Sequence, residues 1–192
     1  MSKKIILPMV ALSLFAAGAT HAGSSFAVGG SYWDTEDADE SAGGGIQFAF
    51  QMTPLLDFET RASYFRELSD EPLDQLFDGD SPFDTGLRAI PVEIGLRLNF
   101  ARDAASFRPY ASAGGSYYIL DSEFGSLDDE YGWYAGFGTS IGGGNVAFFA
   151  EVLYRKAEGT ADISEIGDDA FQDQLPIDLT GLGGNAGIRW NW

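Results

Sequence analysis

Ile90-Pro91-Val92-Glu93-Ile94-Gly95-Leu96-Arg97-Leu98-Asn99-Phe100 alternates without a break. Ile90, Val92, Ile94, Leu96, Leu98 and Phe100 share one parity; Glu93, Gly95, Arg97 and Asn99 share the other. A period of two puts these sets on opposite faces of an extended strand. An amphipathic helix would repeat its apolar positions every three or four residues instead. With Arg88 and Ala89 in front, residues 88–100 predict a strand long enough to cross a bilayer at a tilt, which takes about 9–11 residues. Pro91 lacks the amide that a ladder needs, so a bulge or one missing ladder bond is expected there.

Seven further segments carry the same signature: residues 25–33, 45–52, 56–64, 107–120, 131–141, 146–154 and 182–192. The total is even, as single-chain bacterial outer-membrane barrels require. The expected fold is all-β: an eight-stranded antiparallel up-and-down transmembrane β-barrel. The connections support it. Those after the second, fourth and sixth segments are short. The other four (34–41, 66–85, 121–130 and 156–178) are longer and hold 24 of the 29 Asp and Glu residues. Short turns at one end and long external loops at the other are the outer-membrane pattern.

A soluble barrel also alternates, with its apolar face inward. Here the apolar parity is expected outward, because aromatics gather near both strand ends. Trp33, Tyr64, Tyr117, Trp133 and Tyr154 fall at the loop end, and Phe26, Phe100, Phe107, Phe148, Trp190 and Trp192 toward the turn end. Two such belts match two membrane interfaces. The opposite parity mixes small residues with Asp57, Glu59, Arg61, Glu93, Arg97, Arg108, Glu151, Arg155 and Arg189. Eight strands enclose a narrow interior, so these charges are expected to pair as a lumen-filling network. A narrow polar conduction path is the alternative. Arg88 has lipid-facing parity but lies beside a loop, where its head can snorkel to water.

The N-terminus reads as a separate element. Lys3 and Lys4 precede an apolar run from Ile5 to Ala17, and small residues then lead to Thr20-His21-Ala22. This order is that of a secretory signal peptide cleaved before Gly23. The expected organisation is residues 1–22 as the cleaved signal and 23–192 as the barrel domain. The net charge is -18 and would become about -20 without Lys3 and Lys4. Nucleic acid is not an expected partner, since phosphate backbones call for a basic patch.

The sole His is His21, within the signal, and there is no Cys. No enzymatic role and no cofactor are expected: no imidazole or thiol is left to serve as general base, nucleophile or zinc ligand.

The terminal stretch Asn185-Ala186-Gly187-Ile188-Arg189-Trp190-Asn191-Trp192 resembles the C-terminal signal of outer-membrane barrels, with a polar residue, a Gly and two aromatics in order. Phe is commoner than Trp at the last position. With Ile90–Arg97 and Arg108-Pro109-Tyr110-Ala111-Ser112-Ala113-Gly114, the whole chain from Gly23 is similar to the small porin-like outer-membrane β-barrel domain family. That family includes relatives of the membrane domain of outer-membrane protein A and of outer-membrane proteins X and W. The resemblance implies a Gram-negative outer-membrane location. It also implies contact with outer-membrane lipid and lipopolysaccharide, and a monomer built by the barrel-assembly machinery. Asn185, Gly187, Trp190 and Trp192 would be the residues that machinery reads.

One loop carries a further candidate. Asp78-Gly79-Asp80-Ser81-Pro82-Phe83-Asp84 places three carboxylates around a turn, although the spacing departs from that of a regular calcium loop. Asp78, Asp80 and Asp84 are expected to bind a hard divalent cation weakly. Calorimetry against millimolar calcium checks this: heat and a rise in thermal midpoint are expected, and neither appears if the loop is merely solvated.

Overall fold

The computed structural model describes residues 23–35, 40–68, 87–101, 106–121, 130–162 and 174–192. The expected signal peptide lies outside them. Among the described residues nine strands follow in order: β1 (Ser24–Thr35), β2 (Ser41–Thr53), β3 (Leu56–Leu68), β4 (Leu87–Asn99), β5 (Phe107–Asp121), β6 (Glu130–Ile141), β7 (Val146–Asp162), β8 (Gln174–Asp178) and β9 (Gly181–Asn191). All but β8 form a closed barrel in which every pairing is antiparallel. Its strand order is β6-β5-β4-β3-β2-β1-β9-β7, with β6 returning to β7. Closure leaves no free edge, which satisfies the backbone in lipid.

The pairing fixes the stagger. Ser25 pairs with Ala49, then Ala49 with Glu59, Glu59 with Gly95, Gly95 with Gly114, Gly114 with Tyr134, Tyr134 with Arg155, Arg155 with Gly181 and Gly181 with Thr35. One circuit starts at Ser25 and ends at Thr35, ten residues further along β1. Such a stagger requires tilted strands and lifts successive inward residues like a spiral stair.

The parity read from the sequence matches the faces. Val28, Ile46, Ile94, Leu96, Val152 and Ile188 are exposed on the outer wall, while Glu59, Arg61, Glu93, Arg97, Glu151 and Arg155 are buried inside. Cross-strand aromatic pairs line both rims. Tyr117–Tyr131 and Trp133–Tyr154 (ring centroids 5.0 and 5.4 Å apart) lie near the loop end, and Phe26–Phe48 and Phe26–Trp190 (4.9 and 5.9 Å) near the turn end.

Trp33 corrects the expected outer belt, because it is 0% exposed and points into the lumen. It shares parity with Ser31 and Ala27, so the alternation itself required this orientation. Pro91 is also buried inside, and no bulge forms at it. Its pairing with Tyr118 of β5 is in unbroken register. On the β3 side the pairing lapses at Pro91, between Ala62–Val92 and Phe65–Ala89, which is the other expected outcome, a break in the ladder; the register is kept across the gap, and the irregularity in it falls later, between Phe65 and Leu68. The segment 156–178, expected as loop alone, contains β8 and the far end of β7, paired from Glu158–Asp178 to Asp162–Gln174. A two-stranded ribbon beyond the barrel wall has no lipid face and lumen face to impose alternation, so its sequence carried no strand signal.

Glycine makes room inside. A Cβ on Gly95 would stand 2.3 Å from the Ala113 carbonyl oxygen and 2.4 Å from the Tyr134 hydroxyl. In the β6–β7 turn, Gly144 has φ +74°, a conformation that favours glycine. Gly95→Val is expected to destabilise the barrel by about 1–3 kcal/mol, the usual range for overpacking. Urea unfolding in detergent micelles measures this, and an unchanged midpoint would mean that the lumen at Gly95 is loosely packed.

Candidate functional site: the barrel interior

Inward parity on β3, β4, β7 and β9 delivers charged side chains to the lumen, and the stagger sets which of them meet. Arg61 is central. Its guanidinium forms ion pairs with Glu59 on its own strand, with Glu93 of β4 (Nε to Oε2, 3.4 Å) and with Glu151 of β7 (Nη1 to Oε1, 2.9 Å). Arg97 pairs with Glu59 and lies 4.0 Å from Asp57, which also accepts a hydrogen bond from the Asn99 amide at 2.9 Å. Arg155 donates from Nε to Glu93 at 2.8 Å.

Glu151 gathers donors from around the barrel. Its carboxylate accepts from Gln47 of β2 (2.6 Å), Arg61 of β3 (2.9 Å), Tyr110 of β5 (3.0 Å) and Asn185 of β9 (2.7 Å). With β7 itself, five strands meet on one side chain. Stripping water from a carboxylate costs several kcal/mol, so only a dense donor set of this kind makes its burial tolerable. The guanidinium planes also lie over aromatic rings: Arg61 over Tyr134 (4.6 Å to the centroid), Arg97 over Tyr110 (4.7 Å) and Arg155 over Trp33 (5.5 Å). Each such contact adds attraction to the ring's negative face.

Toward the loop end the interior turns apolar. Trp33, Phe65, Ala89, Tyr118, Leu120, Ala157 and Leu179 form a buried cluster, with Trp33 stacked on Tyr118 at 5.7 Å and tilted against Phe65 at 5.3 Å. Between this cap and the Glu151 cluster lies a void of about 10 Å³ lined by Gly29, Ser31, Gly45, Ser63 and Asn185 among others. That is at the lower limit for a single water.

Seven of the nine expected lumen charges are therefore joined: Asp57, Glu59, Arg61, Glu93, Arg97, Glu151 and Arg155. Arg108 and Arg189 depart from the expectation that every charge is paired. Arg189 donates to Ser140 Oγ (2.6 Å) and Gln47 Oε1 (3.1 Å) and packs against the Tyr110 and Phe149 rings. Arg108 is half-buried near the turn end, and its Nε has no hydrogen-bond partner. Among the described residues Asp57, the second residue of β3, is the one lumen carboxylate at the turn end and is engaged by Asn99 and Arg97; the others sit further up the lumen.

The residues of the terminal signal divide between the two faces. Asn185 faces inward onto Glu151, Gly187 packs inward near Phe149, and Trp190 and Trp192 are exposed. The Trp192 backbone exchanges hydrogen bonds with Ser24, 3.1 Å each way, tying the end of the chain to the start of β1. Asp78, Asp80 and Asp84 lie outside the described residues. The aromatic cap and the roles of Gln47 and Tyr110 escaped the sequence reading, although their inward parity was a signal for all of them.

Among solved structures the chain is similar to outer membrane protein OprG from Pseudomonas aeruginosa (16% identity, covering 89% of this chain and 96% of that one, TM-score 0.67). It is also similar to Neisserial surface protein A (13% identity, 89% and 98% covered, TM-score 0.63). The fold is that of the small outer-membrane β-barrels. A third similar structure is outer membrane protein AlkL, solved in lipid bilayers (10% identity, 90% of each chain covered, TM-score 0.55). No family model matches the sequence, and no curated protein matches it.

Removing the Glu151 carboxylate leaves Arg61 with one fewer partner and strands the amides of Gln47 and Asn185. Glu151→Leu is expected to cost about 3–5 kcal/mol, the range for breaking a buried pair. Arg61→Met combined with it should cost less than the sum of the two single changes, because the residues share one network. Urea unfolding of the double-mutant cycle reads both, and strict additivity would show that the pair is uncoupled.

Proposed function

We propose that the protein is a non-catalytic, integral outer-membrane barrel with a structural and surface-interaction role. In this reading it displays acidic loops over a lumen closed by paired charges. The observation that carries it is the filled interior: the Arg61–Glu151 network below and the Trp33–Phe65–Tyr118 cap above, inside a wall whose outer face is apolar. Large exposed apolar surface on a closed barrel suits lipid rather than water.

The acidic connections face the outside, where cations bridge them to lipopolysaccharide phosphates, and the short turns and both termini face the periplasm. The chain reaches the membrane by signal-peptide export, and the assembly machinery reads Asn185, Gly187, Trp190 and Trp192. It works as a monomer.

Planar-bilayer recording tests the closed lumen. Purified protein whose gel mobility shifts on boiling, and which is therefore folded, is expected to leave the conductance at baseline. Stable unitary steps would overturn the closed lumen in favour of a narrow porin-like channel for ions or small solutes.

A further inference from the structure

The lumen charges are unevenly distributed along its axis. Glu93 and Glu151 sit mid-barrel with Arg61 and Arg155, and Glu59 and Asp57 are engaged by Arg97. At the turn end, which also holds Asp57 engaged by Arg97 and Asn99, Arg189 is 4% exposed and makes no ion pair among the described residues. Its hydrogen bonds go to neutral oxygens, those of Ser140 and Gln47 among them, and its Nε has no partner among the described residues. It is linked to Glu151 indirectly, through the Gln47 amide, which donates onward at 2.6 Å, and through Tyr110, whose hydroxyl donates to the same carboxylate at 3.0 Å.

Two neighbours add positive charge. The Arg97 guanidinium shares the Tyr110 ring with Arg189, at 4.7 and 5.2 Å from its centroid. Arg108 is the register partner of Ser140, the residue that accepts from Arg189, and its Nε is also unpartnered. A buried guanidinium without an adjacent counter-charge is costly. The planar fork of a guanidinium is suited to holding an anion.

We propose that the turn-end mouth of the lumen is a binding site for a small monovalent anion of chloride type, held between Arg189 and Arg108 with the Ser140 hydroxyl as a further donor. Half-exposed Arg108 is the side from which the ion enters. Arg189 lies between the Tyr110 and Phe149 rings, which confines the ligand to a compact ion. The nine lumen charges are five arginines and four carboxylates, and one monovalent anion offsets the difference.

Chloride-35 nuclear magnetic resonance of the detergent-solubilised, folded protein tests this. Excess line broadening over a detergent blank is expected, saturating as chloride is raised. It should fall to the blank in Arg189→Gln and be reduced in Arg108→Gln. The thermal midpoint should rise when sodium gluconate is replaced by sodium chloride at equal ionic strength, in the wild type and not in Arg189→Gln. Absence of excess broadening in the wild type would overturn the site, and so would broadening that persists unchanged in a folded Arg189→Gln variant. If that variant does not form a heat-modifiable barrel, Arg108→Gln decides: wild-type broadening there overturns the proposal, and reduced broadening supports it.

Discussion

Inside a barrel of eight strands there is room for side chains and little else, and in this protein the filling is charged. The ion pair between Arg61 and Glu151 is what the rest of the interior is arranged around. It joins β3 to β7 across the lumen, so it acts as an internal tie rather than a local contact between adjacent strands. Glu151 then recruits Gln47, Tyr110 and Asn185, and Arg61 recruits Glu59 and Glu93. Such a cluster adds little net stability over a well-packed apolar core, since desolvation offsets most of the attraction. What it imposes is register: a slip of one strand by one residue would turn its charges out to the apolar wall.

The outer wall follows from the same constraint seen from the other side. Because every second residue is committed to the lumen, the remaining parity is free to be apolar, and it is, from Val28 to Ile188. The ten-residue stagger between Ser25 and Thr35 connects the two faces. It tilts the strands, brings Glu59, Tyr134 and Arg155 onto one register line, and sets the aromatic pairs at two rims. Gly95 and Gly114 are opposite each other on that line, and the Tyr134 hydroxyl fills the space a side chain at Gly95 would need.

The lumen is graded along its axis. Arg108 and Arg189 sit at the turn end together with Asp57, a paired network occupies the middle, and an aromatic cluster fills the loop end. Acidic residues dominate the long connections.

Much of this is legible in the sequence. Alternation at Ile90–Phe100 and in seven other segments determined strand number, faces and inward charges, because lipid outside and a polar lumen inside leave a period of two in the sequence. The grouping of connections determined which end carries the acids. Trp33 too is decided by parity: its position faces the lumen, although an indole near a strand end suits a membrane interface. Three features depended on tertiary structure: which charge meets which, the aromatic cap, and the arm of β7 and β8. Arg61 and Glu151 are ninety residues apart, and nothing local distinguishes them from Arg189, which makes no ion pair among the described residues. Partner choice is set by strand register and stagger, properties of the closed barrel that no single segment encodes.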